Sequence, residues 1–159
     1  MAPHLGQGLS LRVRIGFEGT SGMPPKRRIF ITFDHDDTDQ VNGFLGLRNI
    51  LDSFEFFNHK LDRRIKSTDG SYVARVIGEE YIQPASVTVI LIGDRTAQSP
   101  WVQWEIQESI RQGKGLLGIR LKDSWGAVPA GIPQNAVGGW DPEKFASWIE
   151  WAYQQTQRR

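Results

Sequence analysis

From Arg28 onward the chain alternates short β-branched or aromatic runs with stretches of helical period. The runs fall at 29–33, 54–57, 87–92 and 116–121, and apolar residues recurring every three or four positions predict helices over 40–51, 70–82, 98–112 and 142–156. Strands that alternate with helices imply right-handed βαβ units, and hence a parallel sheet covered on both faces. The run 87–92 is apolar apart from Thr88, as befits a central strand buried on both sides. The last helix is the most sharply drawn. Asp141 is placed to cap it, Pro142 suits its first position, and Phe145, Trp148, Ile149, Ala152 and Tyr153 share one face. Before it, residues 122–140 hold four glycines and two prolines, a long connection with room for one short strand near Ala136 and Val137.

Composition narrows this picture. A chain of 159 residues with 39% hydrophobic and 23% charged residues supports one core of ordinary size. With no Cys, disulfides, thiolate nucleophiles and the usual structural zinc are excluded, and a reducing cytoplasm is the expected setting. No apolar stretch approaches the roughly 20 residues of a membrane span, and the N-terminus has no secretory apolar segment.

The net charge of +1 hides a division. Residues 1–28 carry five Lys or Arg against the single Glu18, leaving −3 on the rest. Residues 1–27 also hold five of the 17 glycines and three of the eight prolines, so they read as a loosely ordered basic leader before a domain at 28–159. Within the leader, 9–17 alternates like an edge strand, and Met23 offers an alternative start. The PPKRR segment serves most simply as a solubilising arm, which argues against a nucleic-acid role.

In a doubly wound sheet, ligands bind outside the carboxyl ends of the strands where the chain order reverses. That rule selects 34–39, 58–69 and 93–101. The first places Asp34, Asp36, Asp37, Asp39 and His35 within six residues. Such a turn can hold Mg²⁺, orient a ribose, or simply cap the following helix through Asp37 or Asp39. A phospho-acceptor arrangement would use Asp36 and Asp37 for metal, Asp94 as acceptor and Lys122 as counter-charge, but the chain is one βα unit short for it. In the third segment, SPWVQWEI, a helical projection sets Val102, Ile106, Ser109, Ile110 and Gly113 on the core face. Trp101, Glu105, Glu108 and Gln112 form the neighbouring stripe. Glu105 is thereby expected at the border between core and solvent, with Trp101 one turn earlier as the floor of a pocket.

Three pieces, IFITFDHDD at 29–37, SVTVILIGDRT with SPWVQWEI at 86–106, and IRQGKGLLGIRL at 110–121, occur in the order of a known family. Together they resemble the TIR-like domains of Thoeris antiphage systems, relatives of the Toll/interleukin-1 receptor domain. The resemblance implies a flavodoxin-like, doubly wound and mostly parallel sheet of four to five strands with helices on both faces. It makes Glu105 the catalytic carboxylate. Phe33, Asp34, His35 and Asp36, with Ser99 and Trp101, become substrate-binding candidates, although the family more often has aromatic or basic residues where this chain has Asp-His-Asp-Asp. The 58–69 loop would close over substrate or touch a neighbouring protomer. The implied substrate is NAD⁺, cleaved between nicotinamide and ribose to an ADP-ribose-type signal, cyclic or conjugated, with no metal or cofactor. The implied partners are further copies of the chain and an effector that senses the nucleotide product. The rival expectation is a non-enzymatic interaction module using SPWVQWEI and 58–69 as its interface.

Overall fold

The computed structural model describes residues 27–47, 51–58 and 68–158. The predicted leader apart from Arg27, and the centre of the 58–69 loop, lie outside the described residues.

Five parallel strands form the sheet in the order β2-β1-β3-β4-β5. They are β1 (Arg27–Phe33), β2 (Phe54–Phe57), β3 (Val87–Ile92), β4 (Gly115–Arg120) and β5 (Val137–Gly138). Strand β1 begins at Arg27, so the basic segment leads directly into the sheet. β1 lies between β2 and β3, and its residues 29–33 are all buried, as are all six of β3. β-branched and aromatic side chains at consecutive positions make such a strand apolar on both faces, which drives it to the middle of a parallel sheet. The chain runs outward from β1 to β2 and then returns to the other side of β1 as β3. This is the order reversal of a flavodoxin-like fold.

Parallel neighbours in register point to the same face, and the pairs Phe30 with Thr88 and Thr32 with Ile90 set one face of the sheet. Helices α1 (Thr38–Leu45) and α4 (Pro142–Gln157) cover the opposite face, where Ile29, Ile31 and Phe33 join Val41, Phe44, Phe145 and Ile149. The Phe44 and Phe145 rings meet there at 5.5 Å. Helices α2 (Gly70–Val76) and α3 (Pro100–Arg111) cover the face of Phe30 and Thr32.

Helix α1 starts at Thr38 rather than at 40, and residues 48–50 of the expected helix lie outside the described ones. Asp69 caps α2, its Oδ1 accepting from the Ser71 and Tyr72 amides. The predicted helix 70–82 changes geometry midway, because α2 continues as a π-turn over Ile77–Ile82 in which Gln83 N–H donates to the Gly78 carbonyl at 3.0 Å. Gln112, the C-cap of the later helix at Pro100–Arg111, also donates to that carbonyl, at 3.1 Å.

Between β4 and β5 there is no α-helix. The connection instead lies against α3, where Gln103 Nε2 donates to the Ala130 carbonyl at 3.1 Å. The short expected strand is present as β5, which pairs with Gly118 and Ile119. At the start of α4 the expected cap is not made. Asp141 holds the N-cap position, but its carboxylate turns to Lys144 Nζ at 3.4 Å. On α4, Phe145, Ile149, Trp151 and Ala152 are buried while Trp148 and Tyr153 are half-buried, so Trp151 is a core residue that the helical projection left out.

Candidate functional site at the carboxyl ends of β1 and β3

Helix α3 starts just beyond the end of β3. Pro100 occupies its first turn, and Ser99 Oγ accepts from the Val102 amide at 3.3 Å. This start directs the second turn of the helix across the end of β1. There Glu105 is 0% exposed, and Thr32 Oγ1 donates to its Oε1 at 2.7 Å. One turn later the Ser109 hydroxyl donates to the Glu105 carbonyl at 2.8 Å and lies 2.7 Å from the Thr88 hydroxyl. A carbonyl can only accept, so the single Ser109 proton is committed to it and Thr88 must be the donor to Ser109. Two threonines on neighbouring central strands thus anchor one helix by its carboxylate and its backbone.

Glu105 is therefore inside the core, not at its border. The buried face of α3 is Val102, Glu105, Ile106 and Ser109, whereas Ile110, expected inside, is 41% exposed. Glu108, the next carboxylate of the predicted stripe, is already committed. Arg111 Nε donates to it at 2.7 Å, and that guanidinium holds its carboxyl below the usual range. Trp101 is half-buried and meets Trp104 edge-to-face at 5.8 Å, both packing on the cluster around Phe30 and Tyr81.

Beside this centre, Asn58 at the end of β2 is 1% exposed and donates from Nδ2 to the Ile31 carbonyl. Phe33 is also fully buried, but alternation along β1 places its ring on the α1 face, in the core with Val41 and Phe44. Asp34 is half-exposed, and His35 and Asp36 are exposed on the short 3₁₀ turn that follows. Ser99, Trp101 and Glu105 lie in order along the start of α3, Ser99 as its N-cap, Trp101 half-buried and Glu105 enclosed. Asp34, His35 and Asp36 lie along the rim of the β1 end.

Asp37 does not cap α1 through its side chain. Its carboxylate packs on the β3 end so closely that a Cβ on Gly93 would lie 2.1 Å from Oδ2. Burial, followed by the charges of Asp34, Asp94 and Asp36, pushes its pKa up against the opposing pull of the Thr96 hydroxyl. Among the described residues no group of three His, Cys, Asp or Glu side chains is arranged to hold a metal ion. The oxygen-ligand reading of the 34–39 turn thus gains no geometry.

A loop after β4 closes the same end of the sheet. Asp94 Oδ1 accepts the Trp125 amide at 2.9 Å, and Gln40 Nε2 donates to the Lys122 carbonyl at 3.0 Å. The Trp125 ring itself is 89% exposed. The Asp94 carboxylate thus holds the loop's backbone, to which Lys122 contributes its carbonyl. Sequence reasoning missed Thr32; it set Ser109 on the core face and chose the loop that begins at Asn58, but gave neither residue its hydrogen bond. A legible signal existed for Thr32, because a hydroxyl inside the apolar run IFITF must find a partner when buried.

The order β2-β1-β3-β4-β5 defines a flavodoxin-like α/β protein, and the buried Glu105 between β1 and α3 marks its candidate site. The family described as Thoeris protein ThsB, TIR-like domain, matches residues 30–124, and the chain belongs to that family. It is also 32% identical, over 115 residues, to the putative cyclic ADP-D-ribose synthase ThsB1 of Bacillus cereus (strain MSX-D12). That match covers 67% of this chain, which spans 59% of the relative's length. Among the described residues no helix is long and apolar enough to cross a membrane.

Proposed function

We propose that this chain, through the unit at 28–159, cleaves the nicotinamide–ribose bond of NAD⁺ to make an ADP-ribose-type signal nucleotide in antiphage defence. One observation carries the reading: an acidic side chain, Glu105, is enclosed at the switch point of the sheet and held there by Thr32. The name of the Bacillus cereus relative, a putative cyclic ADP-D-ribose synthase, supports the same chemistry.

The demands of the reaction fit a single carboxylate. The C1′–N bond breaks with its electron pair passing to the nicotinamide nitrogen, which neutralises that ring's positive charge, so no strong general acid is needed. An oxocarbenium-like ribose remains, and a nearby carboxylate stabilises it as in glycoside hydrolysis. Glu105 would hold the ribose hydroxyls and offset the developing charge. Water, losing a proton, or a nucleophile within the same molecule then captures the anomeric carbon, according to how fully solvent is excluded. Ser99 and Trp101 at the start of α3, and Asp34, His35 and Asp36 on the rim, would meet the rest of the dinucleotide, whereas Phe33, buried on the α1 face, would not.

Because Glu105 is sealed from solvent, the site must open to admit ribose. Control of that opening suits an enzyme that stays silent until triggered. Its product would act on a nucleotide-sensing effector, and self-association of the chain belongs to the same proposal.

A non-enzymatic interaction module is the second reading, and Trp125 favours it, since an aromatic 89% exposed is suited to a binding hot spot. Nicotinamide release from NAD⁺ decides between them. The enzyme reading requires release that Glu105→Gln abolishes, and self-association with no NAD⁺-dependent thermal shift would favour the module.

A further inference from the structure

The enclosed carboxylate of Glu105 has its Oε1 held by a hydroxyl from a different element, and this contact differs in kind from the packing around it. Thr32 lies on the central strand β1, is 0% exposed, and donates at 2.7 Å across a sequence separation of 73 residues. A β-branched side chain on a packed strand is restricted at χ1, so the donor has little freedom to move. Glu105 by contrast carries three rotatable bonds on a helix, and only an external contact can select one arrangement of its carboxylate. The backbone beneath it is fixed separately, through Ser109 and Thr88 at 2.8 and 2.7 Å. Thr32 thus holds the carboxylate, while Ser109 with Thr88 holds the backbone beneath it.

We infer that Thr32 is a positioning residue for the reaction proposed above: its hydroxyl holds Glu105 Oε1 so that the carboxylate meets the ribose already oriented. The inference rests on the reading of Glu105 as the acting carboxylate. Preorganisation of this kind acts on turnover, because a misaimed group is present but unproductive.

Two variants isolate the hydroxyl. Thr32→Ser and Thr32→Ala lose the same methyl group and differ only in Oγ, so their packing losses cancel in the comparison. Thr88→Val is the control, removing a hydroxyl from the same sheet face without touching the carboxylate. The readout is NAD⁺-derived product by mass spectrometry in phage-challenged cells expressing the full chain, normalised to folded protein. We expect Thr32→Ser within about twofold of wild type, Thr32→Ala lower by on the order of tenfold or more, and a smaller loss in Thr88→Val than in Thr32→Ala.

Equal activity in Thr32→Ala and Thr32→Ser overturns the assignment, whether both are high or both are low. So does a loss in Thr88→Val as large as in Thr32→Ala, which would mean general loosening of α3. In each of these cases an inactive Glu105→Gln leaves the enzymatic reading standing. A fully active Glu105→Gln removes the reading and the positioning role together.

Discussion

Arg27 and Glu150 join the first strand to the last helix: Arg27 Nε donates to Glu150 Oε1 at 2.8 Å and Nη2 to Oε2 at 3.1 Å. The same guanidinium lies 3.8 Å over the Tyr153 ring. With about a quarter of each charged side chain exposed, at 26% and 25%, the pair is screened only in part. The forked geometry and the ring contact should raise its worth to about 1 kcal/mol. Arg27→Ala is expected to lower the melting temperature by about 2–4 °C. Arg27→Ala in a Glu150→Gln background should cost clearly less. Equal losses in the two backgrounds would show that the residues are not coupled.

Asp37 tests the electrostatics of the β3 end. Its folded-state pKa is raised above the ordinary 3.8, mainly by burial. The folded state thus binds the proton more tightly than the unfolded chain. The group costs no stability below the unfolded pKa, and the penalty grows as pH rises through the folded pKa. Asp37→Asn should therefore stabilise the protein at pH 7, by about 1–3 °C after allowance for solvent screening. The gain should shrink toward zero near pH 3. A variant less stable than wild type at pH 7 would contradict this account.

Gly126 lies where the β4 loop crosses the end of β3. A Cβ there would come within 2.3 Å of the Gly93 carbonyl oxygen and 2.5 Å of that of Asp94, both backbone atoms that cannot swing aside. Gly126→Ala should cost about 1–3 kcal/mol in chemical denaturation. It should also displace the loop, freeing the Trp125 amide from Asp94. Substitution at Gly139, which has open space around it, should be nearly neutral by comparison.

Much of the sheet was legible in sequence because its strands are so apolar. β2 and β3 fall at the expected positions, and β4 is displaced by one residue toward Gly115. The π-turn at 77–82 was not legible, since helical period looks the same through one widened turn and the Gln112 partner of Gly78 is 34 residues away. Helical projection placed Glu105 on the correct side of α3 but at the wrong depth. Its pairing with Thr32, 73 residues away in sequence, is not visible in any pattern local to the helix. Asp37 and Asp141 each occupy an N-cap position, yet tertiary or charged neighbours draw their carboxylates elsewhere. The identity of Glu105 as a candidate came from the family resemblance, and its geometry came from the fold.

The central claim is that Glu105 acts on NAD⁺. Glu105→Gln is the sharper substitution, because its carbonyl oxygen can still accept from Thr32 and the buried volume is kept. The decisive measurement is mass spectrometry of NAD⁺-derived nucleotides from cells expressing wild type or Glu105→Gln, with and without phage challenge. We expect an ADP-ribose-type product and nicotinamide in challenged wild-type cells, and neither above background in the folded variant. The same product at wild-type level from Glu105→Gln would contradict the account.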